Sequence, residues 1–177
     1  MSNFFKETDI DTSQAEAIVT ETLKNCDDGE LYLENHKSES IVLDDNKIKS
    51  STYNSDQGYG FRAVTGEVVA YSHSNDISKE SLRKSSENLK DTLKSKKGTY
   101  NHEIPKTNSK YYENINPIES KTFDSKIDLL NNVNNYLRSK GSIVNQVTAN
   151  FLGEHKSIEI IRSDNQVLKD DRPLVRF

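Results

Sequence analysis

The amino-acid sequence predicts an α+β fold in which about three helices pack on a meander of antiparallel strands. Apolar residues have helical spacing in three separate stretches and alternate with polar residues in the stretches between them. Turn-forming residues divide the alternating stretches, with Asp-Asp-Asn at 44–46 and Thr-Gly at 65–66. Because several strands follow one another without an intervening helix, we expect antiparallel pairing rather than parallel βαβ units.

The length and composition of the chain narrow its class. At 177 residues, we expect a single domain spanning 1–177. Only 32% of the residues are apolar, which predicts a thin core, and the net charge of −4 argues against nucleic acid as a partner. No apolar run is long enough for a membrane span, no secretory signal is visible, and the lone Cys26 excludes an intrachain disulfide. The sequence therefore predicts a soluble, cytoplasmic protein with no membrane or nucleic-acid partner.

The first half of the chain is expected to contain a helix, several strands and a second helix. Helical spacing of Ala15, Val19 and Leu23 predicts a helix over about 13–26, with a cap among residues 11–13. The alternating stretch predicts four or so half-buried antiparallel strands over about 30–74. A second helix is expected over about 78–97, where lysines favour the C-terminal end.

The second half is expected to contain a long connection, a third helix and further strands. Residues 98–119 are polar and include two prolines, which indicates an irregular loop. Apolar residues spaced by three and four predict a helix over about 122–140, followed by Gly141. Three strands are expected over about 143–177, with Pro173 placing the last one at an edge or a bulge. The helix is expected to bury one apolar stripe, which comprises Phe123, Ile127, Leu130, Val133 and Leu137.

Residues that could bind a metal or act as a nucleophile are scattered along the chain. The histidines are His36, His73, His102 and His155. They are too far apart in sequence to place two ligands on one helix, so we interpret them as solvent-facing residues. Cys26 has no histidine partner in the sequence and is interpreted as a buried structural thiol on the apolar face of the first helix.

Other short motifs have structural interpretations as well. Gly58-Tyr59-Gly60 lacks the further glycines and the following helix of a phosphate-binding loop, which favours a close backbone approach or a bulge within a strand. The three acidic doublets are interpreted as solvated turns, because paired acid–base groups face each other across a cleft. These doublets are Asp27-Asp28, Asp44-Asp45 and Asp170-Asp171. From chemistry alone we predict no catalytic and no metal-binding residue in this chain.

A set of short strings resembles the N-terminal domain of the TldD/PmbA family of bacterial metalloproteases. The most specific is Asp-Gln-Gly-Tyr-Gly-Phe-Arg-Ala at 56–63, which looks more like the TldD subunit than its PmbA (TldE) partner. The strings keep their order and approximate spacing over about 29–177. The others are Gly-Glu-Leu-Tyr at 29–32, Gly-Glu at 66–67, Asp-Ile-Ser at 76–78, Val-Thr-Ala at 147–149 and Asp-Arg-Pro-Leu-Val-Arg at 171–176.

The resemblance implies a role in proteolysis. In the family, a TldD subunit pairs with a TldE/PmbA-like subunit around a cleft in which unfolded peptide is cut. The zinc of the family is held by a His-Glu-x-x-x-His helix and a later cysteine in the C-terminal domain. This sequence has no such motif, since His102-Glu103 is followed by Ile104-Pro105. We therefore expect this chain to bind no zinc, to supply cleft walls and dimer contacts, and to be inactive alone.

The end of the chain suggests a further expectation. A last strand ending near Phe177 would leave an apolar edge, and such edges invite association. We accordingly expect the chain to be the front portion of a longer protein, with an edge that can take up an extended peptide by strand addition. An alternative is a catalytically inactive module on the same scaffold that binds peptide or a TldE-like partner.

Overall fold

The computed structural model describes residues 4–94, 97–99, 111–113, 115–163 and 166–177. It contains three helices, α1, α2 and α3, and five strands, β1 to β5. In chain order these are α1 Thr12–Leu23, β1 Asp28–Asp44, β2 Lys47–Thr65, β3 Val68–Ser74, α2 Lys79–Leu93, α3 Phe123–Arg138, β4 Thr148–Arg162 and β5 Val167–Arg176. The predicted α+β class, with helices on an antiparallel sheet, is confirmed.

Each helix begins at a side-chain cap that the sequence supplies. Asp11 accepts a hydrogen bond from the backbone N–H of Gln14, and the Gln14 side chain accepts one in return from the Asp11 N–H. Ser78 and Thr122 cap α2 and α3 in the same position. The first two helices end earlier than predicted, at Leu23 and Leu93, so Cys26 and Lys97 lie beyond them.

The strands are longer and fewer than the sequence predicts. Three strands, not four, cover 28–74, because residues 47–65 form one continuous strand. Likewise, two strands rather than three cover 143–177. Asp45 and Asn46 both have positive φ, 48° and 68°, which is typical of the two-residue turn that joins tightly paired strands. The first eleven residues of β2 are exposed on both faces, which corrects the expectation of half-buried strands throughout.

The strand order across the sheet is β3-β2-β1-β4-β5. The hairpin predicted around Thr65-Gly66 is present, with Tyr59 paired to Ser74 and Thr65 paired to Val68. β5 is terminal in this order, which agrees with the edge position predicted from Pro173. Asp170 and Asp171 lie within β5, so the third acidic doublet is part of a strand and not a turn.

The chain divides into two compact units, and β1, β2, β4 and β5 contribute residues to both. Unit 1 comprises Met1–Asn35, Gln57–Tyr111 and Ser157–Asp170. Its core contains 18 buried side chains among the described residues, from α1, α2, the sheet, the segment before α1 and the connections between elements. Phe61, Leu31 and Leu82 are fully buried there. The apolar faces predicted for the first two helices are confirmed by the burial of Ala15, Val19, Leu82 and Leu89.

Unit 2 comprises His36–Asp56, Tyr112–Lys156 and Asp171–Phe177. Five buried apolar residues form its core in the described part of the chain: Ile41, Leu43, Leu130, Ala149 and Phe151. The apolar stripe predicted for the third helix is wrong in its orientation. The buried residues of α3 are Lys126, Leu130 and Asn134, whereas Phe123 and Leu137 are 42% and 40% exposed.

The predicted irregular connection lies only partly within the described residues. The described parts of 98–119 contain neither helix nor strand, and residues 100–110 and 114 lie outside the described residues. Ile118 is buried, and a Cβ added at Gly153 would lie 3.2 Å from it, so the end of this connection packs directly on β4. None of the described helices combines the length and apolar composition needed to cross a bilayer.

Candidate functional site

The Asp-Gln-Gly-Tyr-Gly-Phe-Arg string at 56–62 lies within β2, and all of it except Asp56 belongs to unit 1. Its glycines leave space for neighbouring side chains. A Cβ at Gly60 would lie 2.5 Å from the hydroxyl of Tyr71, so only glycine lets this ring lie over the strand. The Tyr71 ring in turn stacks on His73, with centroids 5.8 Å apart. The close approach predicted for this Gly-Tyr-Gly segment is therefore confirmed, and Tyr59 points the other way, into the core.

Arg62 of the same string belongs to a four-residue ionic network on unit 1. Its Nη2 lies 2.5 Å from Asp28 Oδ2, and its Nε lies 3.2 Å from Glu30 Oε1. Arg162 contacts the other oxygens of the same two carboxylates, at 2.6 Å to Asp28 and 3.2 Å to Glu30. The network ties β2, β1 and β4 together, and its two positive and two negative charges balance.

The network keeps Asp28 ionised. Partial burial disfavours the charged carboxylate, but the hydrogen bond and charge of Arg62, with the charge of Arg162, lower its pKa below the ordinary value. Asp28 is thus a structural anion and not a candidate general acid. This corrects the interpretation of the first acidic doublet as a solvated turn.

Asp27, the other half of that doublet, joins three segments of unit 1. Its carboxylate accepts hydrogen bonds from the backbone N–H groups of Gly66, at 2.6 Å, and Thr99, at 2.7 Å. These two bonds lower the pKa of Asp27. Gly98 lies so close to Asp27 that a Cβ there would meet it at 2.6 Å. Gly98 and Thr99, which follow α2, are therefore held beside the turn between β2 and β3.

Unit 2 contains a buried ion pair at its centre. The Nζ of Lys126 contacts the carboxylate of Glu39 and donates to the carbonyl of Ile118 at 2.6 Å. The side chains of the pair are 5% and 9% exposed. The same ammonium lies 5.6 Å from the ring centroid of Phe151. A charge buried here is tolerated because it is paired and hydrogen-bonded.

A second polar contact in unit 2 involves His155. This histidine is 8% exposed, which corrects the prediction that it faces solvent, and its Nε2 lies 3.9 Å from Asp171 Oδ1. Burial lowers the pKa of His155, although the charge of Asp171 acts in the opposite direction. The imidazole is therefore neutral near pH 7, and it serves the packing of β4 against β5.

A groove of about 520 Å³ lies on the surface of unit 2. Leu129 of α3, Phe151 of β4 and Val175 of β5 form its apolar walls. Lys126 lines it from the interior, and Pro117 closes one side. Leu129 and Val175 remain 43% and 50% exposed, so both contribute apolar surface that is open to solvent.

The residues considered as metal ligands do not converge. Within the described residues, no group of three or more His, Cys, Asp or Glu side chains could hold a metal ion. His36 lies 3.7 Å from Glu154, while His102 lies outside the described residues. Cys26 is buried, as predicted, and burial raises the pKa of its thiol. The described residues therefore do not fit a zinc site, and no zinc-dependent step is derived from them.

Several of the residues that organise these sites give no signal in the sequence. Arg162, Lys126 and Glu39 have no unusual local pattern, and their partners lie up to 134 residues away. The string at 56–63 that contains Arg62, called the Arg62 string below, was recognisable as a motif. Its participation in an ionic network was not predicted. The groove was not predicted, because its walls come from three separate elements.

Known protein families and proteins match the part of the chain that contains Arg62. A family described as PmbA/TldA metallopeptidase domain 1 matches residues 29–94, which include Arg62. A protein named metalloprotease TldD homolog from Buchnera aphidicola is 34% identical over 155 residues, 87% of this chain and 32% of that protein. A protein of the same name from Haemophilus influenzae is 33% identical over 160 residues, 87% of this chain and 33% of its own length. The chain thus spans about a third of the length of the curated relatives it matches.

Solved structures show the same fold at low sequence identity. TldE from Thermococcus kodakarensis aligns with a TM-score of 0.68 at 11% identity, covering 92% of this chain and 37% of that one. A Bacteroides thetaiotaomicron protein described as a modulator of DNA gyrase aligns with a TM-score of 0.67 at 15% identity, covering 94% and 40%. At these identities the likeness concerns the fold alone.

Proposed function

The chain belongs to the PmbA/TldD family as an N-terminal domain, and on that premise we propose that it is the front portion of a TldD-like zinc metalloprotease. It would cleave unfolded peptides together with a TldE/PmbA-like subunit in the cytoplasm. This chain supplies cleft walls and contacts to that subunit, and the zinc belongs to the rest of the protein.

The observation that carries the proposal is the match to TldD homologues over most of the chain. It includes the string at 56–63 that contains Arg62, whose network with Asp28, Glu30 and Arg162 links β1, β2 and β4. Strands linked by balanced charges suit a scaffold. The exposed walls of the groove give the same chain a surface at which other polypeptides can bind.

The chemistry of the residues is consistent with a scaffold role for this chain and with catalytic groups supplied by the rest of the protein. The sequence has no His-Glu-x-x-x-His. Two carboxylates of unit 1 with lowered pKa values, Asp27 and Asp28, are engaged in structural hydrogen bonds. Peptide-bond hydrolysis by a zinc enzyme needs a metal with an open coordination position and a general base. We propose that these groups come from the two thirds of the relatives that lie outside the match.

A chimera tests the proposal. In it, this chain replaces the matching third of the Haemophilus influenzae TldD homologue, and the product is mixed with a TldE-like subunit, zinc and an unfolded peptide. We expect zinc-dependent cleavage, as with the unaltered homologue. A homologue that lacks the matching third serves as the negative control. A folded chimera that neither cleaves peptide nor binds the TldE-like subunit contradicts the proposal.

A second function is favoured by the missing zinc motif. On the same scaffold, the chain could act as a catalytically inactive module that holds peptide or a TldE-like subunit. The chimera separates the two functions. If it binds the TldE-like subunit and peptide but does not cleave, the binding module is supported.

A further inference from the structure

We propose that the groove of unit 2 between α3 and β5 binds a bulky, uncharged side chain of an extended peptide. This inference rests on the proposed function, because it takes unfolded peptide as the ligand. It adds a specific site on this chain's own residues and a preference for one class of side chain.

The walls of the groove indicate an apolar occupant. Leu129 of α3 and Val175 of β5 line it while about half exposed, and the buried Phe151 of β4 lines it as well. Apolar surface on both walls loses its contact with water when a large apolar side chain enters, which favours binding. A polar side chain of the same size gains nothing from these walls.

The charges around the groove indicate an uncharged occupant. Lys126 lines the groove, but its charge is neutralised by Glu39 and its ammonium donates to the carbonyl of Ile118. The other two ionic residues of the lining, Lys121 and Asp128, have opposite signs. Counted together with Glu39, the ionic residues of the lining carry no net charge, so a charged side chain would lose hydration there without finding an excess of counter-charge.

The position of Val175 indicates that the occupant is extended. Val175 belongs both to the groove wall and to β5, the terminal strand in the order of the described residues. A peptide that adds to this edge points alternate side chains to one face, so main-chain pairing and insertion of one side chain can occur together. Pro173 lacks an N–H, so it cannot donate a main-chain hydrogen bond to an added strand at its own position.

Binding of matched peptides to the 177-residue chain tests the proposal. Three dye-labelled peptides are compared by fluorescence anisotropy: one rich in Ser and Thr with a central Phe, and the same peptide with Ser or Lys in its place. We expect the Phe peptide to bind about tenfold more tightly than the other two, the ratio that burial of an aromatic side chain supports. Equal affinity for Phe and Ser, or no binding at all, overturns the proposal.

Two pairs of variants locate the site. Leu129→Ser and Val175→Thr should each weaken binding of the Phe peptide about fivefold or more and leave the Ser peptide unaffected. The matched controls are Leu137→Ser, equally exposed on the same helix, and Val69→Thr, exposed on the opposite edge strand. These should change binding by less than about twofold, and all four should melt near the unaltered chain because the sites are exposed. A control as damaging as its partner contradicts the location.

The peptide-binding experiment and the chimera together distinguish failure of the groove proposal from failure of the proposed function. If the Phe preference depends on Leu129 and Val175 but the chimera is inactive, the groove stands and the peptidase role fails. If the chimera cleaves peptide and the Phe preference is missing, the groove proposal alone fails.

Discussion

The two units of the chain fill their interiors in different ways. The core cluster of unit 1 contains 18 buried apolar side chains among the described residues, and the ionic network of Asp28, Glu30, Arg62 and Arg162 is not part of it. The core cluster of unit 2 contains five in the described part of the chain, and the pair Glu39–Lys126 is buried in the same unit. The comparison indicates that unit 1 gains its stability from apolar burial, whereas unit 2 depends on a few polar contacts that must remain paired.

The largest expected effect concerns the core of unit 1. Phe61 is fully buried in β2, so Phe61→Ala removes a large side chain from a packed interior and should lower the free energy of unfolding by about 4 kcal/mol. Urea denaturation measures the loss. Tyr53→Ala on the same strand is the control: Tyr53 is 53% exposed, and its removal should cost less than about 0.5 kcal/mol. Equal costs would contradict the assignment of β2 to the unit 1 core.

The next effect concerns the buried pair of unit 2. Lys126→Met leaves the Glu39 carboxylate buried without its partner and should cost about 3 kcal/mol. Lys37→Met removes a partly exposed pair with Glu119 in the same unit and should cost less than about 1 kcal/mol. The double change Glu39→Leu with Lys126→Met should recover much of the loss, as measured by urea denaturation. A single Lys126→Met variant as stable as the unaltered chain would show that the pair is not central to unit 2.

A smaller effect is expected at the start of α3. The Thr122 hydroxyl accepts a hydrogen bond from the Ser125 N–H, and Thr122→Ala should cost about 1 kcal/mol by removing this cap. Hydrogen exchange should become faster in the first turn of α3 only. The matching change in unit 1, Asp11→Ala, should act on α1 and leave α3 unchanged. Faster exchange in both helices of either variant would contradict this separation.

The smallest effect is a difference in acid sensitivity. Because burial lowers the pKa of His155, the unfolded chain binds the proton first, so the stability of unit 2 is complete above about pH 6.5 and declines below it. The lowered pKa values of Asp27 and Asp28 make unit 1 decline only below about pH 4. Hydrogen exchange corrected for intrinsic rates should therefore show that residues 148–156 lose protection before residues 28–33. In the His155→Gln variant, residues 148–156 should no longer lose protection before residues 28–33. Loss of protection in both segments at the same pH in the unaltered chain would contradict the prediction.

The sequence predicts unit 1 better than unit 2, and the reason is physical. Alternation and helical spacing identify the buried positions of unit 1, such as Leu31 and Leu82, because its interior is apolar. The same spacing misplaces α3, since Lys126 and Asn134 are buried there through partners on distant segments. Pairing between residues as far apart as Glu39 and Lys126 leaves no local pattern that periodicity can detect.

The candidate sites also differ in how well the sequence predicts them. The Arg62 string was visible as a motif and its glycines were correctly interpreted, because a close approach requires a particular residue type at a particular place. The groove was not predicted, since exposed Leu129 and Val175 look unremarkable until the fold brings them together. Sequence resemblance indicated the family, and the geometry of unit 2 indicated where a peptide could bind.

The most direct test of the proposed role is a peptidase assay of the purified 177-residue chain in the presence of zinc. The account predicts no cleavage of an unfolded peptide by this chain alone, with cleavage appearing only when the chain is joined to the rest of a TldD homologue and given a TldE-like subunit. Zinc-dependent cleavage by the chain alone, abolished by a chelator, would contradict the account.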